Sequence, residues 1–142
     1  MAAGDIVADH EELIRALYFP LWSGELKRAT TIAYTQPNAS VSRTAVLPYE
    51  EIVEIFKADL GDLVVGTSTI TVQIVRDACA GDAAAELTVN VIADPVQAAK
   101  DVTANPAHAE IQATRASDPT TPVGLTKKIA KKILDAAQTR MI

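Results

Sequence analysis

The sequence predicts an α+β fold in a single globular domain over residues 1–142: a mostly antiparallel sheet of about five strands with three helices packed on one face. Three observations predict it. Two aliphatic runs alternate with polar residues at a period of two, which is typical of strands with one buried face. A segment after Pro48 and the C-terminal segment repeat apolar residues at helical spacing. The 49% hydrophobic content supplies enough apolar side chains for one core.

The first third of the chain predicts one helix and two short strands. We expect a helix over residues 11–18, which Asp9 can cap and Pro20 ends. The Thr- and Ile-rich residues 29–34 predict a strand, and residues 40–47 predict a second. Because Gln36-Pro37-Asn38 separates these two runs, we expect them to form a hairpin.

The middle of the chain predicts a helix followed by a hairpin of long strands. Residues 48–60 carry apolar side chains at i, i+3 and i+4 spacing, and Gly61 is a natural C-terminal stop. Residues 69–75 and 86–92 alternate apolar and polar side chains, so both predict strands. We expect residues 77–84 to connect these two strands.

The last part of the chain predicts a fifth strand and an amphipathic C-terminal helix. Residues 107–113 place alanine and isoleucine on one face of the strand. Residues 117–124 contain two prolines and predict a loop. From near Thr126 the chain predicts a helix with an apolar side that docks on the sheet and a lysine-rich opposite side.

The composition limits the classes of function. The net charge of −5 and the low aromatic content of 4% disfavour nucleic-acid binding and the stacking of bases or sugars. Cys79 is the only cysteine, so neither an intramolecular disulfide nor a multi-cysteine zinc site is expected. The first nine residues lack a signal-peptide pattern, and no apolar run approaches the roughly 20 residues of a membrane span. We therefore expect a soluble cytoplasmic protein with no transmembrane segment.

The stretch 105–112 holds the densest group of side chains that could perform chemistry. On a strand, the period of two places His108, Glu110 and Gln112 on the same face. His108 and Glu110 are candidate catalytic residues, because an imidazole and a carboxylate can exchange protons near neutral pH. The alternative is that they form a solvated face or a cross-strand pair. A zinc deaminase would also require a Pro-Cys-x-x-Cys after the His-x-Glu, which this sequence lacks.

Two further polar groups are candidate binding residues. Ser42 and Arg43 could bind an anion, since a guanidinium and a hydroxyl suit a phosphate or carboxylate. The alternative is a structural ion pair between Arg43 and a glutamate of the helix over 48–60. No spacing of histidines and carboxylates indicates a metal site, so we predict neither a metal nor a cofactor.

The C-terminal helix is a candidate partner-binding surface. The candidate residues are Lys127, Lys128, Lys131 and Lys132. The last sixteen residues hold five basic side chains against one acidic, a net charge of +4, which leaves −9 for the rest of a chain whose total is −5. An acidic body and a basic helix of a second copy could attract each other, so we expect a protein partner or a homo-oligomer.

These patterns predict a small soluble binding or interaction module, a non-catalytic accessory protein, because the sequence contains no complete catalytic motif. One alternative is a small enzyme with an acid–base or anion-binding site built on His108, Glu110 and Arg43. A further alternative is binding of an acidic partner or a membrane surface through the lysine-rich helix.

Overall fold

An antiparallel sheet of seven strands organises the fold in the computed structural model, which describes residues 3–142. The strands along the chain are β1 (Glu12–Leu17), β2 (Trp22–Ser23), β3 (Arg28–Ala29), β4 (Ala39–Arg43), β5 (Gly66–Thr71), β6 (Leu87–Ala93), β7 (His108–Arg115), β8 (Asp118–Val123) and β9 (Gln138–Met141). The sheet order is β6-β7-β4-β1-β5-β9, with β8 beside β7, while β2 and β3 form a separate ladder. The predicted α+β class is confirmed, and the sheet has more strands than expected.

Four α-helices accompany the strands. They are α1 (Ile32–Thr35), α2 (Tyr49–Leu60), α3 (Val72–Ala80) and α4 (Lys127–Ala136). Short 3-10 turns follow α2 and α3, at Gly61–Leu63 and Ala83–Ala85. The predictions of α2 and of an amphipathic C-terminal helix are confirmed. Thr126 caps α4, because its side chain accepts a hydrogen bond from Ile129 N. No helix within residues 3–142 is long and apolar enough to cross a membrane.

The helices cover both faces of the sheet, and the expectation that they pack on one face was wrong. Leu13 and Leu17 of β1 join a core that includes α1, α3 and α4. Ile14 and Ala16 alternate with them, are buried, and lie outside that core. Since successive strand residues point to opposite faces, α2, which contacts β1, packs on the second face.

The helix predicted over residues 11–18 is instead β1, the strand that pairs with both β4 and β5. Residues 13–17 are all buried. A central strand covered on both faces has no polar side, so the alternation that identifies a strand is absent. Leu13, Ile14 and Leu17 happen to match helical spacing, which explains the error.

The strand predicted over residues 69–75 ends early, and the hairpin expected at 77–84 does not form. β5 stops at Thr71, whose side chain caps α3 by accepting a hydrogen bond from Ile74 N. Val72, Val75 and Cys79 then lie on the buried side of α3. Val72 belongs both to the period-two run with Ile70 and Ile74 and to this helical repeat at i, i+3 and i+7, so the pattern around it does not distinguish the two structures.

The remaining differences concern short elements. Where a strand was predicted over 29–34, the structure has the short strand Arg28–Ala29 followed by α1. β4 pairs with β1 and β7 and does not form the expected hairpin. The loop predicted over 117–124 contains β8, and β9 follows α4 at the edge of the sheet. In β7 the prediction is confirmed: Ala109, Ile111 and Ala113 are buried on the core face.

Candidate functional site

A cavity of about 300 Å³ lies on the α2 side of the sheet, between α2 and the connection that joins β6 to β7. Its apolar walls come from α2 and this connection: Ile55, Phe56, Leu60, Val96 and Val102. Strands β1, β4 and β7 supply its floor, including Ala16, Ser40, Ser42 and His108. The predicted polar face of β7 therefore borders a concave site at His108, and Ser42, the other predicted residue on this floor, lies in the adjacent strand.

Hydrogen bonds hold the connecting segment over the sheet. Asn105 is buried, its Nδ2 donates to Ser42 Oγ at 3.0 Å, and its Oδ1 accepts from Ala107 N at 3.0 Å. Asn105 and Val96 exchange two backbone hydrogen bonds of 2.9 Å. On the opposite side, Thr103 N donates to Asp59 Oδ1 of α2 at 3.2 Å. The cavity is therefore bounded by a segment tied to both the sheet and α2.

His108 has a defined hydrogen-bond geometry at the cavity. Its Nδ1 lies 2.8 Å from the Asp94 carbonyl oxygen and 3.2 Å from Asp94 Oδ2. A carbonyl oxygen only accepts, so Nδ1 carries the proton. In a neutral ring the Nε2 atom is then left as an acceptor. The side chain of His108 is 15% exposed and that of Asp94 is 50% exposed, so the pair lies at the rim of the cavity.

Glu110 extends this pair into a cluster of three side chains. Asp94, His108 and Glu110 each offer one ligand atom, and these atoms lie within 4.8 Å of one another. Gln112 Nε2 donates to Glu110 Oε1 at 3.2 Å, so the predicted row of polar side chains is present on one face of β7. One nitrogen and two carboxylates are a donor set that suits a divalent transition metal or a shared proton.

Asp94 was not predicted as a site residue, because its proximity to His108 depends on the register of two strands. Asp94 N donates to His108 O at 2.9 Å, next to the pairing of Ala93 with Ala109. The sequence indicates that Asp94-Pro95 ends a strand. Only the antiparallel pairing of β6 with β7 brings the aspartate beside the histidine.

Arg43 and Ser42, the predicted anion-binding pair, point away from each other. Arg43 Nε and Nη2 donate to the two carboxylate oxygens of Glu11, each at 2.8 Å, and both side chains are buried. The partner is thus Glu11 and not a glutamate of α2. The guanidinium of Arg43 is engaged away from the cavity, whereas Ser42 lies on the cavity floor.

Arg15 is a buried cation that the sequence analysis missed, because β1 was predicted as a helix. The residue is 4% exposed and borders the cavity. Its Nε, Nη1 and Nη2 donate to Ala33 O at 2.8 Å, Ser40 O at 2.9 Å and Gln36 Oε1 at 2.9 Å. Burial lowers the pKa of this guanidinium below its ordinary value, since desolvation disfavours the charged form.

The lysine-rich side of α4 faces outward, while its apolar side is buried in the core. Ile129, Ala130 and Ile133 have no exposed surface. Lys128 lies 4.0 Å from Asp82, and Lys132 Nζ donates to Gly81 O at 3.1 Å. A partner could therefore contact the lysines only, because the apolar side cannot enter a membrane without leaving the core.

Cys79 has the environment of an inert thiol. It is 9% exposed in α3, and burial, with a smaller effect of Asp82, raises the pKa of its thiol to about 11. Because the thiolate is the reactive form, we expect iodoacetamide to alkylate the folded chain about two orders of magnitude more slowly than the urea-unfolded chain at the same mildly alkaline pH. Mass spectrometry of timed samples measures both rates. Equal rates would contradict the buried position.

No protein-family model, curated protein or solved structure matches this chain significantly. The cavity and its polar residues are therefore the features that indicate a function.

Proposed function

We propose that this chain is a small-molecule binding module whose ligand occupies the cavity between α2 and the β6–β7 connection. The observation that carries the proposal is the cavity itself, with apolar walls and a few polar groups at its floor and rim. Ligand sites are typically concave and mostly apolar, with a small number of polar groups that fix orientation. At about 300 Å³ this cavity is at the small end of such sites, so the ligand is small.

The walls and the polar groups of the cavity would contact different parts of a ligand. Phe56, Leu60 and Val102 offer apolar surface for the body of a ligand. His108 offers an imidazole nitrogen at the rim, because its other nitrogen is bonded to Asp94. A ligand with an apolar body and one polar group fits this division.

The proposal is tested with N-phenyl-1-naphthylamine, an uncharged probe whose emission rises in apolar surroundings. We expect saturable binding of one probe per chain. Replacement of Thr103, which lines the cavity, with tryptophan fills the cavity mouth and weakens binding by about tenfold or more. Circular dichroism confirms that each variant is folded.

The matched control is Thr114→Trp, which adds the same bulk on β7 at a partly exposed position that does not line the cavity. It leaves probe binding within about twofold of the wild type. A chain that binds no probe, or binds it equally after Thr103→Trp, contradicts the proposed function.

A second candidate function, a small enzyme, is favoured by one observation: the Asp94 carboxylate lies 3.2 Å from His108 Nδ1. A carboxylate beside Nδ1 orients a histidine so that Nε2 can take a proton from a bound water. On this proposal the chain hydrolyses p-nitrophenyl acetate faster than free imidazole does at equal concentration. His108→Ala abolishes that excess rate and His10→Ala, at an exposed position, does not. Equal rates for the two variants would rule the enzyme out.

A further inference from the structure

Arg15, Arg43 and Arg76 each hydrogen-bond to distant parts of the chain through their guanidinium groups, and they differ in how their charge is balanced. Arg43 forms a two-pronged ion pair with Glu11, and Arg76 pairs with Asp9. Arg15 is as buried as Arg43, yet no ion pair among residues 3–142 includes it. Arg15 is thus a buried positive charge without a negative partner.

The hydrogen bonds of Arg15 give its N–H donors acceptors, but they do not balance its positive charge. All three acceptors are neutral: two backbone carbonyls and the Gln36 amide. A guanidinium has five N–H donors, and these contacts use three. A charge removed from water is costly unless an opposite charge compensates it. An anion beside Arg15 would therefore gain more than the same anion beside an exposed arginine.

The cation lies where the sheet opens toward the cavity. β1 and β4 pair at Leu13 with Arg43 and at Ile14 with Ser42, and the pairing does not continue toward Arg15. Arg15 instead donates its Nη1 to Ser40 O, which bridges the gap between the two strands. Arg15 and Ser40 both border the cavity. Arg15 lies on the same face of β1 as Leu13 and Leu17, so its guanidinium lies behind the floor of the ligand site, at the gap between the two strands.

Asp59 places a negative charge at the wall of the cavity, opposite in sign to the positive charge of Arg15. It is an exposed carboxylate of α2 that lines the cavity on the side where it accepts from Thr103 N. A second negative group on a ligand would meet Asp59, whereas a negative group at the floor would meet Arg15. The single unbalanced positive charge of Arg15 therefore favours a ligand with a single negative charge.

We propose that the ligand of this cavity is a small monocarboxylate, with its carboxylate on the floor at the gap that Arg15 fills from behind and its apolar chain against Phe56 and Leu60. This inference rests on the proposed function, because it names the chemical class of the ligand for the same cavity. The attraction does not require a hydrogen bond to Arg15, because opposite charges attract strongly where water is excluded.

The test compares hexanoate with hexanamide as competitors of N-phenyl-1-naphthylamine on the wild-type chain at neutral pH and constant ionic strength. The two compounds share size and chain and differ in charge. Hexanoate is expected to bind about tenfold or more tightly, because only its carboxylate is attracted by the unbalanced charge of Arg15. Equal or tighter binding of hexanamide overturns the inference while probe binding still supports the proposed function. Failure of the probe to bind removes both.

A second arm uses charge changes outside the floor, because an Arg15 variant would also lose the bonds that hold α1. Asp59→Asn keeps an oxygen for Thr103 and removes the negative charge from the cavity wall. We expect it to tighten hexanoate binding several-fold relative to Asp62→Asn, an equal charge change on the neighbouring exposed turn outside the cavity. Equal effects of the two variants count against an anion in the cavity.

Discussion

Replacement of Glu11 with glutamine is expected to lower the free energy of unfolding by about 3 to 5 kcal/mol. Glu11 and Arg43 are both buried, and two hydrogen bonds of 2.8 Å join them. The substitution leaves the Arg43 guanidinium charged inside the protein without a counter-ion. Breaking one partner of a buried pair costs more than the pair contributes, because the remaining charge stays desolvated. Urea denaturation followed by circular dichroism measures the change.

The adjacent Glu12 supplies the control, since it is exposed at the first position of β1. Glu12→Gln should change the free energy of unfolding by no more than about 0.5 kcal/mol. Removal of both charges in a Glu11→Leu, Arg43→Met double variant should recover most of the loss, because no unpaired charge remains. A Glu11→Gln chain as stable as Glu12→Gln would show that the pair is not buried in solution.

Replacement of Gly124 with alanine is expected to cost about 3 kcal/mol. A Cβ atom at this position would lie 1.8 Å from Thr35 O, a backbone atom that cannot rotate away. The end of α1 would have to shift, and Ala33 and Gln36 at this helix hold Arg15. The substitution should therefore disturb the cavity floor as well as the stability.

Gly24→Ala is the matched control for this second variant. A Cβ at Gly24 meets nothing within 4 Å, so the same substitution should change stability by no more than about 0.5 kcal/mol. Thermal unfolding of the two variants side by side gives the comparison. Similar midpoints would contradict the close contact between the end of β8 and α1.

Local patterns predicted the elements that have one buried face. The alternation in β7 placed His108 and Glu110 on one side and Ala109 and Ile111 on the other, and the structure confirms it. The helical spacing in α2 and α4 was equally decisive. In each case one face meets the core and the other meets water, so the period of the apolar residues is visible in the sequence.

The same patterns failed where both faces are buried or where contacts depend on register. β1 has no polar face, so its strand character was hidden and with it the role of Arg15. Arg43 of β4 pairs with Glu11, the residue just before β1, although glutamates of α2 lie closer in sequence. Asp94 reaches His108 only through the pairing of β6 with β7. These contacts are set by tertiary structure, which spacing along the chain does not encode.

The most direct test of a carboxylate ligand in the cavity is a titration of ¹⁵N-labelled chain with hexanoate, followed by amide and arginine Nε resonances. We predict that the Arg15 Nε resonance moves together with the amides of Ser42, Thr103 and His108, with one dissociation constant for all of them. Movement confined to residues 127–132 of α4, with Arg15 and the cavity amides unchanged, would instead place anion binding on the lysine-rich helix and contradict the account.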